Sequence, residues 1–161
     1  MSIKYYGHNI KNLPFILVTN SITAVMNATK GVNTFTQGDI FEVDLKEITY
    51  PLAHLSYNTA NFDTGTLTYS YQLIVMDLVS KNERNEDQVL SDTLNTIGDI
   101  ISTLRNSDAV PLIEDYRNSF RLQDSISCEP FTERFDNEVT GWAANFSIEV
   151  EFDASACDGY V

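Results

Sequence analysis

The chain is poor in the residues that most often carry chemistry. Its 161 residues hold two cysteines, Cys128 and Cys157, and two histidines, His8 and His54. The two cysteines make no metal-ligand spacing with each other. A free thiol packs as a small hydrophobe, so Cys128 reads as a buried thiol and Cys157 as a loose tail thiol. His8 lies in a polar N-terminal stretch. His54 stands between Ala53 and Leu55 in a strand-like run, where a hydrogen-bonded structural histidine is the ordinary reading and a catalytic base the alternative. The seven glycines are scattered and form no phosphate-cradling loop. No G-x-S-x-G elbow presents a serine. No apolar run approaches the ~20 residues that span a membrane, and the opening MSIKYYGHNIKN lacks the apolar centre of a signal peptide. The expectation is a soluble protein, made in a reducing cytoplasm, in which no catalytic motif, metal-ligand spacing or membrane span is read.

Positive charge is scarce as well. Ten Lys and Arg face 23 Asp and Glu, a formal net charge of −13. Non-specific nucleic-acid binding needs Lys and Arg to neutralise phosphates, and this chain does not supply them. DNA could still pass nearby without sticking, because an acidic surface repels phosphate and can serve as a lining.

What is present is an ordinary globular composition, 43% hydrophobic. The length suits one domain with its own core. The domain divides into an N-terminal arm or short edge strand (1–12), a core (13–152) and a flexible tail (153–161). Phe15, Val18, Ile22, Val25 and Met26 recur at steps of three and four, which predicts a helix with Pro14 in its first turn and Gly31 as its stop. A strand over Phe15–Val18 is the rival reading. Asp39–Thr49 alternates Phe41, Val43 and Leu45 against Glu42, Asp44 and Lys46, which predicts a half-buried strand. Tyr50-Pro51 breaks it, Leu52–Tyr57 resumes as a strand, and Asn58–Gly65 carries turn chemistry. Thr66–Val79 is a longer strand whose first half alternates and whose second half is apolar on both sides, as if covered there on both faces.

Asn85–Arg105 predicts a second helix, capped by Asn85 with Gln88 completing a capping box, and with Leu90, Leu94, Ile97, Ile101 and Leu104 as the buried stripe. Tyr116–Cys128 alternates with Phe120, Leu122, Ile126 and Cys128 inward. Trp142–Phe152 alternates throughout. The order predicts an α+β domain, a mostly antiparallel β-sheet with two α-helices packed on it.

Isolated acids offer weak sites. Asp77 interrupts IVMDLV, as a functional carboxylate or, more simply, a cap for the following turn. Asp39, Glu42 and Asp44 lack the loop spacing of an EF-hand, so a solvated face is the default. Glu129–Trp142, EPFTERFDNEVTGW, is the most unusual stretch. It is crowded with charge of alternating sign, and Asp136, Asn137 and Gly141 read as the turn of a hairpin. It has no His, Cys or Ser to serve as a catalytic partner. Phe131, Arg134 and Phe135 are the aromatic-plus-arginine set that interface centres favour, so contact with another chain competes with packing inside this one. Trp142 starts the return strand and packs inward.

Tyr71–Val79 (YQLIVMDLV), Asn85–Asp92 (NEDQVLSD) and Glu129–Trp142 together resemble a family of virion proteins of tailed phages, especially crAss-like phages of gut bacteria. The resemblance spans roughly Phe15–Phe152. The order of elements is similar to the tail-terminator and tail-completion fold. The resemblance implies a structural protein of the head–tail junction or tail, non-enzymatic and with no cofactor. It implies a closed twelvefold or sixfold ring of copies of the chain, portal or neighbouring neck and tail rings as partners, and genomic DNA passing through the bore without specific binding. It implies a protein found in the virion, where the aromatic-plus-arginine set Phe131, Arg134 and Phe135 is the expected contact with a neighbouring subunit or the adjacent ring. A soluble monomeric binding module and a small hydrolase are the alternatives; a large defined multimer in solution argues for the ring, a lone 18.1 kDa species for the module.

Overall fold

A computed structural model describes residues 12–44, 47–80, 85–114, 119–130 and 139–153, leaving aside the side chain of Phe41. Helix α1 is Phe15–Ala28 and helix α2 is Glu86–Arg105. The strands are β1 (Thr34–Gln37), β2 (Leu52–Asp63), β3 (Thr66–Leu78), β4 (Arg121–Leu122), β5 (Ser127–Pro130) and β6 (Val139–Glu151). They form one six-stranded sheet in the order β1-β2-β3-β6-β4, with β5 also paired to β6. Only β1 and β2 run parallel. The fold is therefore α+β with a mostly antiparallel sheet, as the pattern of elements predicts.

β3 is the centre of the sheet, and its alternation sets two faces. Leu67, Tyr69, Tyr71, Leu73 and Val75 point to the front face with Phe146, Ile148 and Val150 of β6. This face packs with Val18, Ile22, Val25 and Met26 of α1 and Ile97, Ile100 and Leu104 of α2 into the main core. On the back face a smaller cluster, Leu52, Ile74, Met76 and Val139, lies under Ile40, Val43, Ile48 and Tyr50. The predicted change along Thr66–Val79 is thus real. Leu73–Met76 is buried on both sides, whereas Thr66–Gln72 has one partly open side.

Several expectations need correction. The helical spacing of α1 prevails over the strand reading, but Pro14 is its N-cap, and the helix stops at Ala28, short of Gly31. Gly31 is needed for another reason: a Cβ there would run into the Thr96 side chain of α2. The strand expected over Asp39–Thr49 does not form. Ile40–Glu42 is a 3-10 turn, and residues 45–46 are outside the described part. Ile40 and Val43, three apart, share a side in such a turn, so both reach the back cluster. The turn expected over Asn58–Gly65 shrinks to Thr64–Gly65. β2 continues to Asp63 past a bulge between Tyr57 and Thr59, and Gly65 supplies the positive φ of 77°.

The stripe of α2 is rotated from the expected one. Val89, Thr93, Thr96, Ile97, Ile100 and Leu104 are buried, whereas Leu94 is 39% exposed. Thr93 and Thr96 can be buried because each hydroxyl donates back along the helix, to the Val89 and Asp92 carbonyls (2.7 and 3.1 Å). The capping box is absent. Asn85 makes no side-chain cap and instead accepts from the Ser80 N–H (2.7 Å), and Gln88 donates to Asp92.

The strand expected over Tyr116–Cys128 is split. β4 and β5 follow one another along the outer edge of β6, and five steps of this edge chain, Leu122 to Ser127, stand against three of β6, Ile148 to Asn145. Asn12 and Asp153, expected in the arm and the tail, tie those ends together. Asn12 Nδ2 donates to the Asp153 carbonyl (3.0 Å) and Asp153 N–H to Asn12 Oδ1 (2.7 Å).

Candidate interaction surface

Phe131, Arg134 and Phe135 lie outside the described residues, as do Asp136, Asn137, Cys157 and His8. Their setting is partly defined by what flanks them. β5 and β6 pair antiparallel, with Pro130 opposite Trp142. Gly141 is not in the turn. It lies within β6 opposite Met76, where a Cβ would collide with the Val75 carbonyl oxygen. Trp142 packs against the main core as expected, and its indole N–H donates to the Leu90 carbonyl of α2 (2.8 Å).

The remaining sequence candidates resolve into structural parts. His54 is fully buried in β2. Its Nε2 lies 2.8 Å from the Gly38 carbonyl, which can only accept, so Nε2 carries the proton. Nδ1 then accepts from the Thr36 hydroxyl (2.6 Å). Burial holds its pKa below the usual value, against the opposing effects of the Gly38 carbonyl and the Asp39 charge. The ring stitches β1 and the turn after it to β2. Asp77 is held above the usual carboxylate range by burial, against the Leu78 N–H that its carboxylate accepts (2.8 Å), and the Asp92 charge adds to the rise. Cys128 is half-buried, and burial pushes its thiol up, away from the reactive thiolate. Among the described residues, Asp39, Glu42 and Asp44 belong to no group of three or more metal-ligating side chains.

Two surfaces stand out. The first is the back face of the sheet beyond the small cluster. The register places Thr66, Thr68, Ser70 and Gln72 beside Glu151, Glu149, Ser147 and Asn145 on this face, with Thr59, Asn61 and Asp63 on their other side. Ser70 and Ser147 share a hydroxyl–hydroxyl bond (2.9 Å). Arg121 is on this face too, and its guanidinium is bonded to Glu149 (2.7 Å). A shallow depression is lined there by Thr68, Arg121, Gln123, Ser147 and Glu149. The alternation in the sequence marks these side chains as outward, but not that they form one continuous field.

The second surface is the outer edge of β2. β1 pairs with Leu52–Leu55 and then turns away at Gly38, whose φ is 102°. From Ser56 to Asp63 no described strand covers that edge. Tyr57 and Phe62 are exposed on the front side, 44% and 65%. Phe15 meets Tyr57 edge to face at 5.2 Å, and Phe62 meets Phe152 likewise at 5.1 Å. This edge went unread in the sequence because NTANFDTG looks like turn throughout. Its β-forming Tyr57, Thr59 and Phe62 were the available signal.

No protein-family profile matches the chain, and no match to it was found among curated proteins.

Proposed function

We propose that the chain is a structural virion subunit of a tailed phage, assembling into an oligomeric ring of the neck or tail through which genomic DNA passes. The observation that carries this reading is the open back face of the sheet. It is a broad field of hydroxyls, amides and carboxylates whose one cation among the described residues, Arg121, is already engaged by Glu149. Phosphates moving past such a face meet repulsion and no partner to hold them. The net charge of −13 extends that property to the whole chain. The resemblance of YQLIVMDLV, NEDQVLSD and EPFTERFDNEVTGW to phage neck and tail proteins supplies the setting. Portal or neighbouring ring proteins are the partners it implies. Phe131, Arg134 and Phe135 remain the proposed subunit contact on sequence grounds.

Mass measurement and electron microscopy of the purified protein test the assembly, which should be a closed multimer. A lone 18.1 kDa species at every concentration points instead to a monomeric binding module. Duplex DNA at low salt should show no measurable binding. Tight, salt-sensitive binding overturns the proposal. Arg134→Ala combined with Phe135→Ala should keep native circular dichroism and lose the multimer; a normal multimer removes the loop from the interface.

A further inference from the structure

We propose that the border of β2 from Ser56 to Asp63, which no described strand covers, docks a second copy of this chain, strand against strand and antiparallel about Asn61. The two borders of the sheet differ in kind. The β4–β5 border is broken into strands of two and four residues, bulged between them, and carries Pro130. Short strands, bulges and proline keep a sheet border from pairing with another chain. The β2 border from Ser56 to Asp63 has no proline and no lysine, and two of its large aromatic side chains are exposed.

Charge selects the occupant. Copies of a chain with net charge −13 repel, yet Ser56–Phe62 holds no charged side chain, so two copies can approach there at least electrostatic cost. The pattern is also self-complementary. Beyond the bulge, Ala60 and Phe62 point to the front and Thr59, Asn61 and Asp63 to the back. An antiparallel pair centred on Asn61 sets Ala60 of one copy opposite Phe62 of the other, small against large on the same face. It sets Thr59 opposite Asp63, and the two Asp63 carboxylates stand four residues apart along the strand, about 13 Å. The backbone groups left open by the border then pair with each other. Pairing of Thr59–Asp63 with itself is a small contact, which suits a weak, reversible pair and not an obligate one. The inference does not need the ring, because a two-fold pair is closed in itself.

Sedimentation tests it on the full chain. The native protein should show a reversible monomer–dimer step, or a larger assembly built from dimers. Asn61→Lys puts two like charges opposite each other on an exposed position and should weaken that step at least ~10-fold while circular dichroism stays native. In a background of Cys128→Ser and Cys157→Ser, mild oxidation should link Asn61→Cys into a covalent dimer. The neighbouring Asp63→Cys should not link, because its copies are too far apart for a disulfide. The proposal is overturned by a protein that stays monomeric to about 0.5 mM, by pairing that is indifferent to Asn61→Lys, or by equal crosslinking at both positions. A pair that never closes into a ring leaves this border standing and removes the ring. A ring indifferent to Asn61→Lys does the reverse.

Discussion

Gly141 is the residue where the sheet tolerates least. Its Cα faces the β3 backbone so closely that even a methyl group would meet the Val75 carbonyl and the Met76 Cα, and backbone cannot swing aside as a side chain can. Gly141→Ala should cost about 2–4 kcal/mol in urea unfolding. By sequence this glycine looks like a turn residue, since it comes soon after Asp136 and Asn137 and just before an alternating run; close approach between strands leaves no mark in one chain's order of residues. His54 sets an acid limit. Its folded pKa lies below the unfolded value of 6.5, so the unfolded chain binds the proton first. Its contribution is fully present above about pH 6.5 and is lost as pH falls through the folded pKa. The melting temperature should therefore drop on acidification below that point, and His54→Gln should flatten this part of the profile. Asp77 has the opposite sign. With its pKa raised, it favours folding only at low pH and opposes it once ionised. Asp77→Asn keeps an oxygen for the Leu78 N–H and should raise the melting temperature at pH 7 by roughly 1–3 °C.

Among the elements, α2 separates what periodicity can show from what it cannot. Its existence and limits follow from spacing and charge: Glu86 and Asp87 sit at its positive end and Arg105 at its negative end. Its orientation does not follow, because the apolar stripe was read from Leu and Ile alone, while the buried face includes two threonines that satisfy their own hydroxyls. The difference is measurable. Ile97→Ala or Ile100→Ala should cost about 2–5 kcal/mol, as cavities in the main core. Leu94→Ala should cost under about 0.5 kcal/mol, because that side chain is exposed. Gly98 has open space where a Cβ would go, and Gly98→Ala should add about 0.5–1 kcal/mol. β3 and β6 were legible because each buries one whole alternating face. The turn at Ile40–Glu42 was not, since Phe41, Val43 and Leu45 also satisfy a period of two, and only the back cluster selects the period of three.

For the whole molecule, the sheet is covered unequally along its length. Near Leu52–Leu55 and Leu73–Met76 it has packed side chains on both faces; towards Asp63–Thr66, among the described residues, one face is open and one border is uncovered. Amide protons there have fewer packed neighbours to hold their hydrogen bonds closed, so local opening needs less free energy than global unfolding. Deuterium should enter the β2–β3 hairpin from its tip and advance as a gradient, reaching the doubly covered end only when the whole domain unfolds. Uniform protection along both strands would contradict this. A molecule built this way has one anchored end and one compliant end. The compliant end could then adjust its twist to a neighbour without loosening the core behind it.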